Sequence, residues 1–93
     1  MNFDIRNNET ETRFETTVDG HTAFSSYLRE DPDRIIFTHT EVPEALSGRG
    51  IAGEIVKYAL EEARAKQQKV VPACSYVAAY IKRHPEYQDL VAG

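Results

Sequence analysis

The chain has a single cysteine, Cys74, so it cannot build an internal disulfide framework. A lone thiol gives no basis for a structural zinc site and is best tolerated in a reducing compartment. No apolar run approaches bilayer thickness. The start, Met1-Asn2-Phe3-Asp4-Ile5-Arg6, has neither a basic stretch followed by an apolar core nor an Arg/Ser-rich transit pattern. A membrane partner is therefore not expected, and the default compartment is the cytoplasm. Positive charge is also scarce: the formal net charge of -4 works against nonspecific attraction to nucleic-acid phosphates, though a local basic cluster could hold a phosphate-bearing small molecule. No internal repeat, low-complexity segment or linker is evident. What remains is 93 residues, 41% hydrophobic and 28% charged, the composition of one ordinary globular domain over residues 1–93. A core of this size gives modest stability, so a ligand or a second copy would add to it, and a monomer or weak homodimer is expected.

The first half alternates short β-prone runs with turn signals. Phe14, Thr16 and Val18 fall on one face and Arg13, Glu15 and Thr17 on the other, a period of two. Asp19-Gly20 suits a tight hairpin, after which Thr22, Phe24, Ser26 and Leu28 share one side. A break at Glu30-Asp31-Pro32-Asp33 precedes the most β-prone run, Arg34 to Val42. After Pro43 the period changes. Ile51, Ile55, Val56, Ala59, Leu60 and Ala63 recur at helical spacing, which predicts a helix over about 50–67 whose charges, including Lys57 with Glu61 and Glu62 with Lys66, form a solvent-facing surface. Val70-Val71 reads as a short strand closed by Pro72, and Ser75 as the cap of a second helix through Ile81 or Lys82, ended by His84-Pro85. Strand, Gly-rich turn, helix and strand make a βαβ unit with two parallel strands and a right-handed crossover.

Glycines crowd the junction between the long strand and the long helix, in Ser47-Gly48-Arg49-Gly50-Ile51-Ala52-Gly53. Glycine lets backbone N–H groups turn toward a ligand, and the first turn of a helix leaves several such donors unpaired, so the junction suits a phosphate. Arg49 could add charge, but amides and helix dipole would carry the site. The same glycines could simply make a tight turn. No Gly-Lys-Ser/Thr triplet or dinucleotide-binding spacing is present.

Here the sequence resembles the GNAT (GCN5-related) acetyltransferase superfamily, whose loop reads Gln/Arg-x-x-Gly-x-Gly/Ala at the start of a helix after a long strand. Gly50 and Ala52 match its last two fixed positions, and Ser47 stands at the first. A closer resemblance, from about Phe14 to Val91, is to small single-domain GNAT-like proteins that lack the usual amino-terminal helices. It rests on Phe37-Thr38-His39-Thr40-Glu41-Val42-Pro43, Gly48-Arg49-Gly50-Ile51-Ala52, Pro72-Ala73-Cys74-Ser75-Tyr76-Val77 and His84-Pro85-Glu86-Tyr87. The resemblance implies a truncated α+β GNAT-like fold, with antiparallel strands leading into a βαβ unit of splayed parallel strands and a C-terminal helix. It implies acetyl-CoA in the wedge between those strands. Its pantetheine arm would pair with backbone near Val42, and its pyrophosphate would rest on Ser47, Gly48, Arg49, Gly50, Ile51, Ala52 and Gly53.

Four side chains are candidates for the chemistry. Cys74 lies between the last strand and a helix amino terminus, an environment that favours thiolate. It could act as nucleophile or activating neighbour, or be a small buried residue. Tyr80 falls where the family resemblance implies the tyrosine that protonates departing coenzyme A thiolate, although it could merely pack. His39 is expected on the strand face shared by Ile35 and Phe37, as a base for the acceptor amine or as a cross-sheet hydrogen-bonding residue. Glu41 is the alternative base, through water, or a solvated strand-end charge. The leading expectation is acetyl transfer from acetyl-CoA to an unidentified amine, and the alternative is a noncatalytic acyl-CoA-binding or sensing module.

Overall fold

The computed structural model describes residues 3–92. Five strands form one sheet in the order β1-β2-β3-β4-β5: β1 is Arg6–Asn8, β2 Arg13–Val18, β3 His21–Asp31, β4 Arg34–Glu41 and β5 Lys69–Pro72. The first three pairings are antiparallel and β4 runs parallel to β5. Between these last two lies helix α1, Ile51–Ala65, and after β5 comes α2, Ser75–Arg83, followed by a 3₁₀ segment Pro85–Leu90. The expected α+β arrangement is the one observed, with β1 as an added edge strand.

Each boundary has a local cause. Asp19 and Gly20 both take positive φ, 51° and 79°, giving the two-residue turn whose twist matches its flanking strands. α1 is capped at its start by Gly50 in the left-handed region and stops at Ala65, because Lys66 leaves helical geometry and Gln67 turns to φ 57°. The helix is thus shorter than the 50–67 expected from periodicity. Ser75 does not cap α2. That position belongs to Cys74, which makes no side-chain capping bond, and α2 runs on to Arg83.

The core lies on one face of the sheet, where Phe14, Ala23, Tyr27, Ile35, Phe37 and Val70 meet Ile51, Ile55, Val56, Ala59, Leu60, Ala63 and the α2 residues Val77 and Ile81. Phe14 packs with its ring 5.3 Å from Tyr27 and 6.3 Å from Phe37. The side carrying Phe24, Ser26 and Leu28 is the opposite face, and Leu28 is 56% exposed. On that open face Glu15 is nonetheless buried. It accepts hydrogen bonds from Arg6 Nε and Nη2 at 3.2 and 3.1 Å, Arg13 Nε at 2.7 Å and Asn8 Nδ2 at 3.3 Å, which binds β1 and β2 together. Arg13 lies over the Phe24 ring, 4.7 Å from its centroid.

Candidate functional site

β4 and β5 pair only from Arg34↔Lys69 to Phe37↔Pro72. Pro72 has no N–H to extend the ladder. The chain then turns away, with the Cys74 amide donating to the Phe37 carbonyl at 2.8 Å and the Ala73 amide to Val71 at 3.0 Å. β4 continues past this apex through Thr38–Glu41, so the two strands open into a wedge.

A bulge in β4 decides which side chains face which side of that wedge. Tyr27 pairs with Phe37 and Ser26 with His39, which leaves Thr38 as an extra residue. The insertion reverses alternation downstream. His39 therefore does not share the face of Ile35 and Phe37, as unbroken alternation would require. It lies on the open face, its ring 6.1 Å from Phe24 and its Nε2 3.2 Å from Glu41 Oε1, with both side chains well exposed. Thr40 takes the helix-covered side instead, 3.0 Å from Ser25 Oγ and 3.4 Å from Cys74 Sγ. Cys74 is buried, 7% exposed, at the apex. Spacing alone could not single out Thr40, because its neighbours come from β3 and the turn before α2 rather than from its own strand.

From β4 the chain passes through half-buried Val42 and a 3₁₀ turn, Glu44–Leu46, to the glycine-rich junction. Gly48 and Gly50 hold φ of 80° and 73°, and the space where a Cβ would stand at either position is empty. Among the described residues, no protein group accepts a hydrogen bond from the amides of Gly48, Arg49, Gly50, Ile51, Ala52 or Gly53; the first amide of the helix with an internal partner is Glu54, which donates to Gly50. Ser47 differs from the rest. Its amide and its hydroxyl both donate to the Glu44 carbonyl, at 3.1 and 2.9 Å, which removes it from the set of free donors. Arg49 reaches the hairpin turn, with Nη1 3.1 Å from Asp19 Oδ2. Ile51 contributes an amide only, since its side chain is core. The free donors, the left-handed glycines and the open space above them suit a diphosphate.

α2 closes on this junction. A Cβ at Gly53 would stand 3.5 Å from the Tyr76 hydroxyl and 3.8 Å from Tyr80 Cε2, so both rings lie against the first turn of α1. The Tyr80 ring stacks on His84, with centroids 4.0 Å apart and planes 17° off parallel, and His84 Nδ1 donates to the Tyr80 carbonyl at 2.9 Å. Burial pushes the Tyr80 phenol above its ordinary pKa, and Glu54, Tyr76, Glu86 and Glu61 push in the same direction. Among the described residues no buried side-chain oxygen lacks a partner, and the Tyr80 hydroxyl makes no hydrogen bond to the protein, so that hydroxyl reaches solvent. The site is therefore divided. Cys74, Thr40, Tyr80 and the glycine junction lie on the covered side, and His39 with Glu41 lies on the open side.

A splayed parallel pair with a glycine-capped helix between its strands is the architecture of the acetyltransferases related to GCN5. The model of the GCN5-related N-acetyl-transferase family matches residues 13–90, and the chain belongs to that family. It is similar to Protein NATD1 of Homo sapiens, 43% identical over 52 residues that cover 56% of this chain and 46% of that protein. The Mus musculus NATD1 is likewise 43% identical over 52 residues, covering 47% of that protein. The match thus spans about half the length of these curated relatives. A GCN5-like protein of Staphylococcus aureus, described as a candidate N-acetyltransferase and solved by NMR, superposes with a TM-score of 0.75 at 27% identity, covering 99% of this chain and 90% of that one. Among the described residues no helix is long and apolar enough to cross a membrane, and no cluster of His, Cys, Asp and Glu is arranged to hold a metal ion.

Proposed function

We propose that this chain binds acetyl-CoA and transfers its acetyl group to an amine. The observation that carries the reading is the run of unengaged amides from Gly48 to Gly53 at the start of α1, directly beside the wedge. These donors and the helix dipole would hold the pyrophosphate, and the backbone near Val42 would meet the pantetheine arm. Acetyl-CoA supplies an acyl group already activated as a thioester. The Tyr80 phenol, raised by burial, stays protonated at neutral pH and so keeps a proton available for a departing thiolate. His39, held by Glu41, would take the proton of an amine arriving from the open face. Cys74 adjoins the acyl end as nucleophile or neighbour. Its lone buried thiol suits a reducing compartment, and the cytoplasm is our choice.

Calorimetry with coenzyme A tests the binding step. Gly50→Asp should weaken affinity by roughly tenfold or more, because it sets a carboxylate against the diphosphate. Gly50→Ala controls for the backbone strain of a side chain at φ 73°. Equal affinity in wild type and folded Gly50→Asp would remove this loop from the site. Single-turnover assays with labelled acetyl-CoA and candidate amines then separate a transferase, which consumes the thioester, from a noncatalytic acyl-CoA-binding or sensing module, which leaves it intact.

A further inference from the structure

Ser25 is fully buried on β3, and among the described residues the partner of its hydroxyl is Thr40 Oγ1 at 3.0 Å. Thr40 in turn lies 3.4 Å from Cys74 Sγ. Distances alone leave the direction of both bonds open, but burial does not. If Ser25 accepted from Thr40, the Ser25 hydroxyl hydrogen would face the apolar core without a partner, and an orphaned buried donor is costly. Ser25 must therefore donate to Thr40. Among the described residues Cys74 Sγ is then the remaining hydrogen-bond partner of the Thr40 hydroxyl, and Thr40 directs its own proton to it.

We infer that Ser25 and Thr40 are positioning residues which orient the Cys74 thiol, Ser25 donating to Thr40 and Thr40 donating to Sγ, so that the thiol hydrogen is left free for a group lying in the wedge. A sulfur that receives a hydroxyl proton is also better able to carry negative charge. The arrangement makes the apex of the wedge directional: Thr40 serves the sulfur from the core side, and the acyl end of the ligand meets it from the other. The inference rests on the proposed acetyl-CoA reading for its purpose, but not for its test.

The test uses the free protein. Because Cys74 is the chain's single cysteine, the S–H stretching band in the infrared is one band, and alkylation by iodoacetamide reports one site. The wild-type band should sit where a thiol that does not donate to oxygen absorbs, and Thr40→Val should leave it there. Thr40→Val should also slow alkylation about tenfold, the effect of one hydrogen bond to a charged sulfur, and Thr40→Ser should restore it. Ser25→Ala removes the donor to Thr40 and leaves Sγ as the partner of its hydroxyl, so the band should stay where it is and alkylation should slow by less than in Thr40→Val. A wild-type band already in the donating range that rises in Thr40→Val would overturn the inference. So would alkylation rates that are equal in wild type and Thr40→Val. Should Thr40→Val fail to fold, a wild-type band in the donating range decides against the inference by itself. Coenzyme A affinity measured in parallel keeps the two questions apart, since loss of binding in the wild type would sink the functional reading and leave this proton order standing.

Discussion

The two faces of the sheet are stabilised by different physics. Under the helices, Phe14, Tyr27, Ile35, Phe37 and Val70 are buried almost completely, and the interactions are dispersion and the removal of apolar surface from water. On the open face the fixed point is a carboxylate: Glu15, held by Arg6, Arg13 and Asn8, with Phe24 and His39 lying alongside. The difference bears on function. A covered face can order hydroxyl protons and exclude water, whereas the open one leaves His39 and Glu41 in contact with solvent. Both meet at the wedge, where the bulge at Thr38 hands alternate residues of β4 to opposite sides.

The largest contrast comes from truncating the covered face. Phe37→Ala should cost about 3–5 kcal/mol, because the ring is buried in the core beside Phe14 and its removal leaves a cavity. Chemical denaturation measures it, and a loss comparable to a surface substitution would show that the covered side is not the dominant one. Next comes Glu15→Gln, which keeps the volume and removes the charge that gathers two arginines. About 1–3 kcal/mol is expected. The pH dependence has a definite sign. Burial by itself raises the Glu15 carboxyl, but the hydrogen bonds from Arg13, Asn8 and Arg6 outweigh it, and its pKa falls below the ordinary 4.5. A carboxylate depressed in the folded state contributes stability that is fully present above the unfolded value and is lost as pH falls from about 4.5 toward the lower folded one. Glu15→Gln should remove that part of the acid sensitivity. Identical stability curves between pH 5 and pH 3 in the two proteins would assign the acid transition to other groups.

The same contrast explains how much could be read before the structure. Wherever period-two alternation continued unbroken it gave the right partition: Phe14 and Thr16 share one face of β2, as their spacing indicated, and that face is the one buried under the helices. Which face of β3 met the core was not legible, because Thr22, Phe24, Ser26 and Leu28 carry as much apolar character as the Ala23, Ser25 and Tyr27 that pack beneath the helices. β1 has no apolar pattern, since Arg6 and Asn8 are there to bind Glu15. The position of the loop at the head of α1 was legible because glycine spacing is local. The arrangement of side chains around the wedge was not, because the single extra residue at Thr38 moves His39 to the open face, and because Thr40 meets Cys74 across 34 residues of sequence.

The smallest expected effect is the sharpest probe of the open face. Leu28 pairs across the sheet with Ile36, which pairs in turn with Val71, and this row faces away from the helices. With Leu28 56% exposed, Leu28→Lys removes little buried apolar surface and places its ammonium where water already reaches. The change in stability should stay within about 0.5 kcal/mol. It should also be the same at micromolar and near-millimolar protein. A second copy seated on this row would make wild-type stability rise with concentration, and the lysine would abolish that rise. Denaturant midpoints for both proteins at two concentrations therefore settle whether the face that carries His39 and Glu41 stays open in solution or is covered by another chain.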